Sequence, residues 1–462
     1  MDDRKNAVTP RVQALVVGGG ISGLVCAYAL RKAGLDAHLF EASPRPGGVI
    51  QSITRDGFLL ELGPQSFNGT APLRALFQDL GISDQVVLAP ARAPRYVLVD
   101  GVLRPVPLSP PAFFTSSLID ASTKWALLRD LVGKSVPPDA DESVAAFVRR
   151  KFSPQLLDHL VGPFVSGVYA GDPERLSLRS AFPSLHEAEK SAGSIIRGTL
   201  RAPKTKTNPR ERPTLLAFRN GNEILIRALS NILGPSLHTG ASITRISAQN
   251  DGSFSVQFEA HGASESISTK SLILAAPTSV SAKLLSPLDP SFESLLALMD
   301  YAPVAVVSLG YRISAIGHSL EGFGFLVPRS SGLRVLGAVW NSSLFPGRAS
   351  QGHALLTSFV GGATDPSVAS LPAEALTSLV HGEVSLILSI SAEPVFSNVT
   401  VWPRALPQYN LGHSDRLAAV AKLLRKHPGI WLAGNYLRGP AIGSCVEQAL
   451  AVADEVREAL EK

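Results

Sequence analysis

Gly18-Gly19-Gly20-Ile21-Ser22-Gly23 lies between a short apolar run and a helical pattern, an order that gives three of its glycines separate tasks. The first permits a tight turn, the second lets a pyrophosphate approach the backbone, and the third lets the helix pack on the strand. Unpaired N–H groups and the positive helix end then face the phosphates. Glu41 closes the next strand-like run, where a carboxylate accepts hydrogen bonds from an adenosine ribose. A second glycine pair follows in Ala42-Ser-Pro-Arg45-Pro-Gly47-Gly48, and then Glu61-Leu-Gly63-Pro64. A plain nicotinamide-binding unit has no need of that second pair. It suits a chain that runs close along a larger, flavin-containing dinucleotide.

Near the other terminus, Trp431-Leu-Ala-Gly434-Asn435 reads as a strand ending in a turn, and Gly439-Pro-Ala-Ile-Gly443 leads into a helix. Val446, Leu450, Ala453, Val456 and Leu460 give that helix one apolar face, and Ser444 with Glu447 three residues on reads as a capping box. A helix N-terminus at this point suits negative charge on a reduced flavin ring.

Other chemistries find no residues. The two cysteines, Cys26 and Cys445, exclude a disulfide scaffold and a cysteine-based zinc module and fit a reducing compartment. The ten histidines show no metal-ligand spacing, so no metal is expected. Ser22 is not in a nucleophile elbow, and His413 reads as structural. A net charge of +5 over 462 residues does not indicate a nucleic-acid partner. With 45% hydrophobic and 18% charged residues, the chain can bury a large core. The uncharged run Gln13 to Leu30 has the rough length of a membrane span, but Gly18-Gly19-Gly20 and Gly23 break it. Strand, turn and helix explain it better.

The elements that position these residues begin with a β-α-β unit: Arg11 to Val17, a helix ending at Gly34, and Asp36 to Phe40. Residues 90 to 200 read as mainly helical, interrupted by Pro105 to Pro111. Between Arg197 and Arg212 lie six basic residues among prolines, read as a surface loop. Strand-like alternation returns over 237 to 276 and from 303 to 362.

Val16 to Leu24, Glu41 to Gly48 and Gly434 to Val456 resemble the flavin amine oxidase and phytoene desaturase superfamily, which binds FAD. Three further segments resemble its oxygen-dependent protoporphyrinogen oxidases. They are Pro163-Phe-Val-Ser-Gly-Val-Tyr-Ala-Gly171-Asp-Pro, Ser343-Leu-Phe-Pro-Gly-Arg348 with Leu355 to Gly362, and Trp402-Pro-Arg-Ala-Leu-Pro-Gln-Tyr409. The likeness runs through the whole chain from residue 11. It departs at Phe218-Arg-Asn-Gly-Asn222, where the family has a glycine pair, and at Gln448-Ala449, where many members have small residues.

The resemblance implies an α/β fold: a Rossmann-type FAD-binding domain (1–90, 215–290 and 405–462), a mainly helical, membrane-associating domain (91–205), and a mixed-sheet substrate domain (291–404). It implies FAD contacts from Gly18, Gly19, Gly20, Ile21, Ser22 and Gly23, then Glu41, Ala42, Arg45, Gly48 and Val49. Gly63, Pro64, Gln65 and Ser66 follow, with the Ile243 backbone at the adenine and Asn435, Pro440, Ala441 and Ile442 at the flavin. For the substrate it implies Arg95 on a propionate, Leu326 and Val339 sandwiching the ring, Phe359 stacking on a pyrrole, and Gly167 approaching by its backbone. The implied reaction is six-electron oxidation of a porphyrinogen, by hydride loss from a methylene bridge to flavin N5, with O2 as acceptor and H2O2 as product.

No catalytic side chain is expected, because adjacent pyrrole nitrogens push electrons into the developing cation. A cytoplasmic location with peripheral membrane contact, through Val106 to Ile119 with Phe113 and Phe114, and a homodimer are compatible with this reading. Two rivals remain open: a coproporphyrinogen oxidase of the same fold, and a catalytically idle flavin- or porphyrin-binding carrier.

Overall fold

The computed structural model describes residues 10–201 and 215–462. Most of the basic, proline-containing loop expected between Arg197 and Arg212 therefore lies outside the described residues.

The apolar run Arg11–Val17 forms the central strand of a seven-stranded sheet, flanked in parallel by Ala37–Glu41 and by the end of Ala263–Leu274. Leu237–Thr239 and Ile430–Leu432 extend the parallel part outward. The first half of Ala263–Leu274 turns to antiparallel pairing with Phe254–Ala260, which in turn pairs with Ala241–Ala248. A parallel strand covered on both sides reads as a continuous apolar run. Accordingly Ala14 and Val16 enter one core, and Leu15 and Val17 the other. Helix Ile21–Lys32 and the C-terminal helix Ile442–Leu460 share the first core through Leu24, Tyr28, Val446, Ala449 and Val456. Helix Thr278–Leu285 helps cover the second.

A second seven-stranded sheet runs in the order Phe396–Pro407, Tyr301–Arg312, His353–Gly361, Val335–Trp340, Gly324–Leu326, Arg95–Val99, Val102–Pro105. One face is closed by helix Ala373–Leu388, whose Leu376, Val380, Val384 and Leu388 recur at helical spacing. The last two strands correct the helical reading of residues 90 to 200. Alternation at Arg95–Val99 buries Val97 in one cluster and Leu98 in another, so this hairpin belongs to the sheet.

Helices begin only at Pro110–Thr115, and continue through Ala121–Val132, Val144–Lys151, Gly162–Tyr169, Pro183–Ala192 and Ile195–Arg201. Their starts follow the rule of polar caps: Ser109, Asp120 and Ser143 each accept a first-turn N–H. The expected segment Val106 to Ile119 is exposed only in part: Leu108 and Phe114 meet solvent, whereas Leu118 and Ile119 are buried against Val97 and Val99. The exposed apolar surface continues beyond it through Trp125, Leu128, Val132 and Val136. No helix among the described residues is long and apolar enough to cross a membrane.

Candidate active site

The N-terminal glycine turn has the geometry of an anion cradle. Helix Ile21–Lys32 starts from Gly20 with no capping side chain and no acidic residue in its first turn, leaving its N–H groups free. A Cβ on Gly20 would meet nothing within 4 Å, whereas one on Gly23 would sit 1.9 Å from the Gly18 carbonyl oxygen. Gly18 adopts φ 106°, with the Ala275 backbone 2.9 Å from where its Cβ would be. Gly18 and Gly23 thus serve the turn and the packing, and the open side of Gly20 is left for a ligand. The Gly19 N–H donates to Glu41 Oε2 at 2.6 Å, and the Ser43 N–H donates to Oε1 at 2.8 Å, which sets the carboxylate at the strand end. Oε1 also accepts the Ser43 hydroxyl, so it is Oε2 that retains a further acceptor site for a ribose hydroxyl.

The second glycine pair lies directly on the first turn. The Gly47 N–H donates to the Gly19 carbonyl at 2.7 Å, and both Gly47 and Gly48 have positive φ. Arg45 shapes this loop from within, its guanidinium donating to the carbonyls of Pro46 and Gly48 at 2.9 and 2.6 Å. Val49 follows, and Gly63 packs so tightly on it that a Cβ would lie 2.0 Å from the Val49 oxygen. Pro64 and Gln65 are held by side chains: Asn222 Nδ2 donates to the Pro64 carbonyl at 3.0 Å, and Asn341 Nδ2 to Gln65 Oε1 at 2.7 Å. Ser66 comes next, half-buried, ahead of the short strand Phe67–Asn68. Ile243 sits at a bulge in its strand and packs with the cluster that holds Val17 and Phe40. The bend at Gly240 ties that strand to the exposed Ala42 end, with its N–H on the Ser43 carbonyl at 2.9 Å.

At the C-terminal end the expected capping box does not form. The helix starts at Ile442 with Ala441 as its cap residue, so Ser444 is already in its first turn and no side chain covers the free N–H groups. This correction leaves a second uncapped helix start, beside Pro440 and Ala441. Ile21 of the first helix and Ile442 of this one meet in the same core. Asn435 follows the Gly434 turn, and its carbonyl accepts the Tyr409 hydroxyl.

Of the expected substrate residues, Arg95, Leu326, Val339 and Phe359 share one sheet face. Leu326 pairs with Gly337, and Gly337 with Phe359, so the leucine and the phenylalanine flank a residue without a side chain. Arg95 pairs with Gly324, and Gly324 with Val339, one step along the same face. This face is the one turned away from helix Ala373–Leu388, since the intervening Phe325, Ala338 and Trp340 enter that core. Arg95 is exposed, its guanidinium 5.4 Å from the Phe323 ring centre, and among the described residues it has no acidic partner. Val339 is less open than expected, being packed with Ala217, Leu344 and Phe345. Gly167, on helix Gly162–Tyr169, comes down on Leu326.

A model of the flavin containing amine oxidoreductases matches residues 21–457. The chain belongs to the flavin containing amine oxidoreductase family. It is an oxidoreductase that uses FAD, and the two uncapped helix starts, the open side of Gly20 and the acceptor at Glu41 fit that group. Among its relatives, the chloroplastic protoporphyrinogen oxidase of Oryza sativa subsp. japonica is 37% identical over 475 residues, covering 97% of this chain and 88% of that one. The coproporphyrinogen III oxidase of Bacillus subtilis (strain 168) is 29% identical, covering 96% and 97%. A crystal structure from Exiguobacterium sp. 255-15 is 25% identical with a TM-score of 0.80, covering 99% of this chain and all of that one. Putrescine oxidase bound to putrescine, 17% identical with a TM-score of 0.71, shares the fold.

In this amine oxidoreductase fold the thiols are inert. Burial pushes Cys26 up to about 12 and Cys445 up to about 11, so neither is a thiolate near neutrality. His413 is buried with Nε2 2.9 Å from the Tyr436 carbonyl; because that oxygen only accepts, Nε2 carries the proton. Burial, with a smaller contribution from Arg416, pushes its pKa down to about 4. It is a neutral structural donor.

The sequence did not reveal the polar residues that hold the site. Asn222, in the segment that departs from the family pattern, is buried and joins the Phe218 N–H to the Pro64 carbonyl through its amide. Gln448, the other departure, accepts the Gly434 N–H at 3.1 Å. Gln408 donates to the Tyr169 carbonyl at 2.9 Å and so secures the helix of Gly167. The available signal was a lone amide within a buried apolar pattern, which must find partners.

Proposed function

We propose that this enzyme oxidises protoporphyrinogen IX to protoporphyrin IX, removing six electrons and delivering them to O2 as H2O2, within porphyrin and haem biosynthesis. The observation that carries this is the near-full-length likeness to the rice protoporphyrinogen oxidase, together with an apolar sheet face whose rim carries Arg95, without an acidic partner among the described residues. When bound, FAD supplies the hydride acceptor and its return to the oxidised state by oxygen. The residues of the chain do the rest by position. Gly18 to Gly23, Glu41, Ala42, Gly48, Val49 and Gly63 to Ser66 hold the dinucleotide, with Ile243 at the adenine and Asn435 and Pro440 to Ile442 at the ring. Arg45 shapes the loop that they share.

Leu326, Val339 and Phe359 grip the macrocycle, Gly167 lets a helix approach it, and Arg95 holds a propionate. No side chain acts as acid or base. The apolar surface of residues 108–136 rests on a membrane interface, which suits a flat, greasy substrate. The cofactor domain spans 1–90, 215–290 and 405–462; the hairpin at 95–105 goes with the substrate domain. The enzyme works on the cytoplasmic side, as a homodimer.

Coproporphyrinogen III is the competing substrate, favoured by the likeness to the Bacillus subtilis enzyme. Turnover of the two porphyrinogens, followed by product fluorescence with peroxide measured in parallel, separates them. The proposal expects the dicarboxylate to be preferred in kcat/KM. A preference for the tetracarboxylate overturns the substrate, and flavin without turnover of either overturns the activity in favour of a carrier.

A further inference from the structure

Glu61 and Arg348 form an ion pair that is removed from water on both sides, the residues being 2% and 1% exposed. Arg348 Nη1 donates to Glu61 Oε1 at 2.6 Å. The same carboxylate accepts the Asn222 N–H at 3.0 Å and the Ser52 hydroxyl. The guanidinium also donates to the Phe218 carbonyl at 3.3 Å and lies 5.6 Å from the Phe345 ring centre. Neither residue belongs to the cofactor or substrate sets above. Stability alone does not account for them, because desolvating two charges offsets their attraction and an apolar pair of similar volume serves folding as well or better.

Their positions supply the reason. Glu61 ends the strand Phe58–Glu61 and is followed at once by Leu62 and the Gly63–Ser66 loop. That loop hangs on anchors from the substrate side: Trp402 Nε1 donates to the Leu62 carbonyl at 2.7 Å, and Asn341 to Gln65. Arg348 completes the set, from the loop after helix Asn341–Leu344, where Leu344 and Phe345 pack against Val339 and Phe359. With the other two anchors, this buried contact joins the cofactor loop to the residues packed on the substrate face.

We propose that Glu61 and Arg348 are positioning residues, fixing the separation between the Gly63–Ser66 loop and the sheet face of Val339 and Phe359, and with it the approach of the macrocycle to the flavin. This rests on the functional reading above. The decisive variant is the double replacement Glu61→Leu with Arg348→Met, which keeps volume and leaves no unpaired charge. It is expected to fold, to retain FAD, and to hold the KM for protoporphyrinogen within about threefold of wild type. Anaerobic single-turnover reduction of its flavin should slow by about tenfold or more, since small displacements cost large factors in rate. The visible circular dichroism of the bound flavin should change, and this readout needs no substrate.

Arg348→Lys, which keeps the charge and loses the fork, is expected to give an intermediate rate if the double variant does not fold. A wild-type reduction rate in either variant overturns the proposal, as does an unchanged flavin dichroism. If wild-type protein oxidises neither porphyrinogen, the functional reading fails while the dichroism still decides the role of the pair.

Discussion

Leu326 leans into the space that Gly167 leaves empty, and a Cβ built on that glycine would lie 2.3 Å from Leu326 Cδ2. The same methyl stands 3.1 Å from the Cβ position of Gly337, so one isopropyl group is held between two glycines of different elements. Replacing Gly167 by Ala should push Leu326 out over the sheet face. The end of a leucine can rotate, so the fold and FAD content should survive. KM for the porphyrinogen should rise by about tenfold, in line with one displaced apolar contact. In a Leu326→Ala background, which has already lost that contact, Gly167→Ala should cost little more, and a double-mutant cycle in kcat/KM would read this coupling. Independent, additive effects would show that the two residues do not act on the ring together.

The glycines of the first turn should separate into two classes. Gly20→Ala leaves the protein without a clash, since its φ of −68° suits any residue and its Cβ would meet nothing within 4 Å. It should fold with a near-normal melting temperature and purify with little or no FAD. Gly23→Ala drives a methyl against the Gly18 carbonyl and should cost about 3 kcal/mol or more in denaturant unfolding. Equal FAD content in Gly20→Ala and wild type would mean that the pyrophosphate lies elsewhere.

Arg95 holds no partner among the described residues that a substitution would orphan. A charge-assisted contact to a propionate is worth about 1.5–3 kcal/mol, or one to two powers of ten in affinity. Arg95→Ala should raise KM by about that factor and leave FAD bound, and Arg95→Lys should recover only part of it, because an ammonium cannot form the fork. A porphyrinogen ester without free carboxylates should not sense the change. Unaltered kinetics would place the carboxylate contact elsewhere.

Trp125, Leu128 and Val132 recur at helical spacing on Ala121–Val132 and are 71%, 46% and 80% exposed, an unusual content for a soluble surface. If they meet a bilayer, wild-type protein should float with liposomes, and Trp125→Glu with Val132→Glu should stay at the bottom of the gradient with its FAD intact. Equal flotation of both proteins would move the contact to other residues.

Legibility of the sequence followed the local character of each feature. The glycine turn and Glu41 are legible from spacing along the chain and the central strand from its apolar run, although that strand and Gly18 also pack against Ala263–Leu274 and Ala275, far along the chain. The Arg95–Val99 and Val102–Pro105 hairpin has a local signal, the two-residue Asp100-Gly101 turn with both φ positive, whereas its place in the second sheet rests on Gly324–Leu326, more than two hundred residues on. The capping box failed for a different reason. Ser444 and Glu447 have the right spacing, but Pro440 and Ala441 already direct the chain into a helix that starts at Ile442. Asn222 and Gln448 were recognised only as departures from a pattern. Their use follows from burial, which obliges each amide to find a partner, for Asn222 in the remote Pro64 loop and for Gln448 in the Gly434 turn just before its own helix.

His413 provides a test of its structural assignment through pH. Its pKa lies at about 4 in the folded protein against 6.5 when unperturbed, because burial disfavours the cation. Above 6.5 both folded and unfolded chains carry the neutral ring, and its contribution to stability is complete. As pH falls from 6.5 towards 4 the unfolded chain binds a proton that the folded chain refuses, so stability falls by about 1.4 kcal/mol per unit, or about 3 kcal/mol across the window. Below about 4 the loss levels off. His413→Gln keeps a donor for the Tyr436 carbonyl and removes the titration. Its stability, measured by denaturant unfolding from pH 8 to pH 4, should decline less steeply than that of wild type by about one proton. Turnover at pH 8 should remain within about twofold, since a neutral donor is present in both proteins. A parallel decline in the two proteins would show that His413 titrates normally, and a loss of turnover with FAD retained would make it a participant in the chemistry.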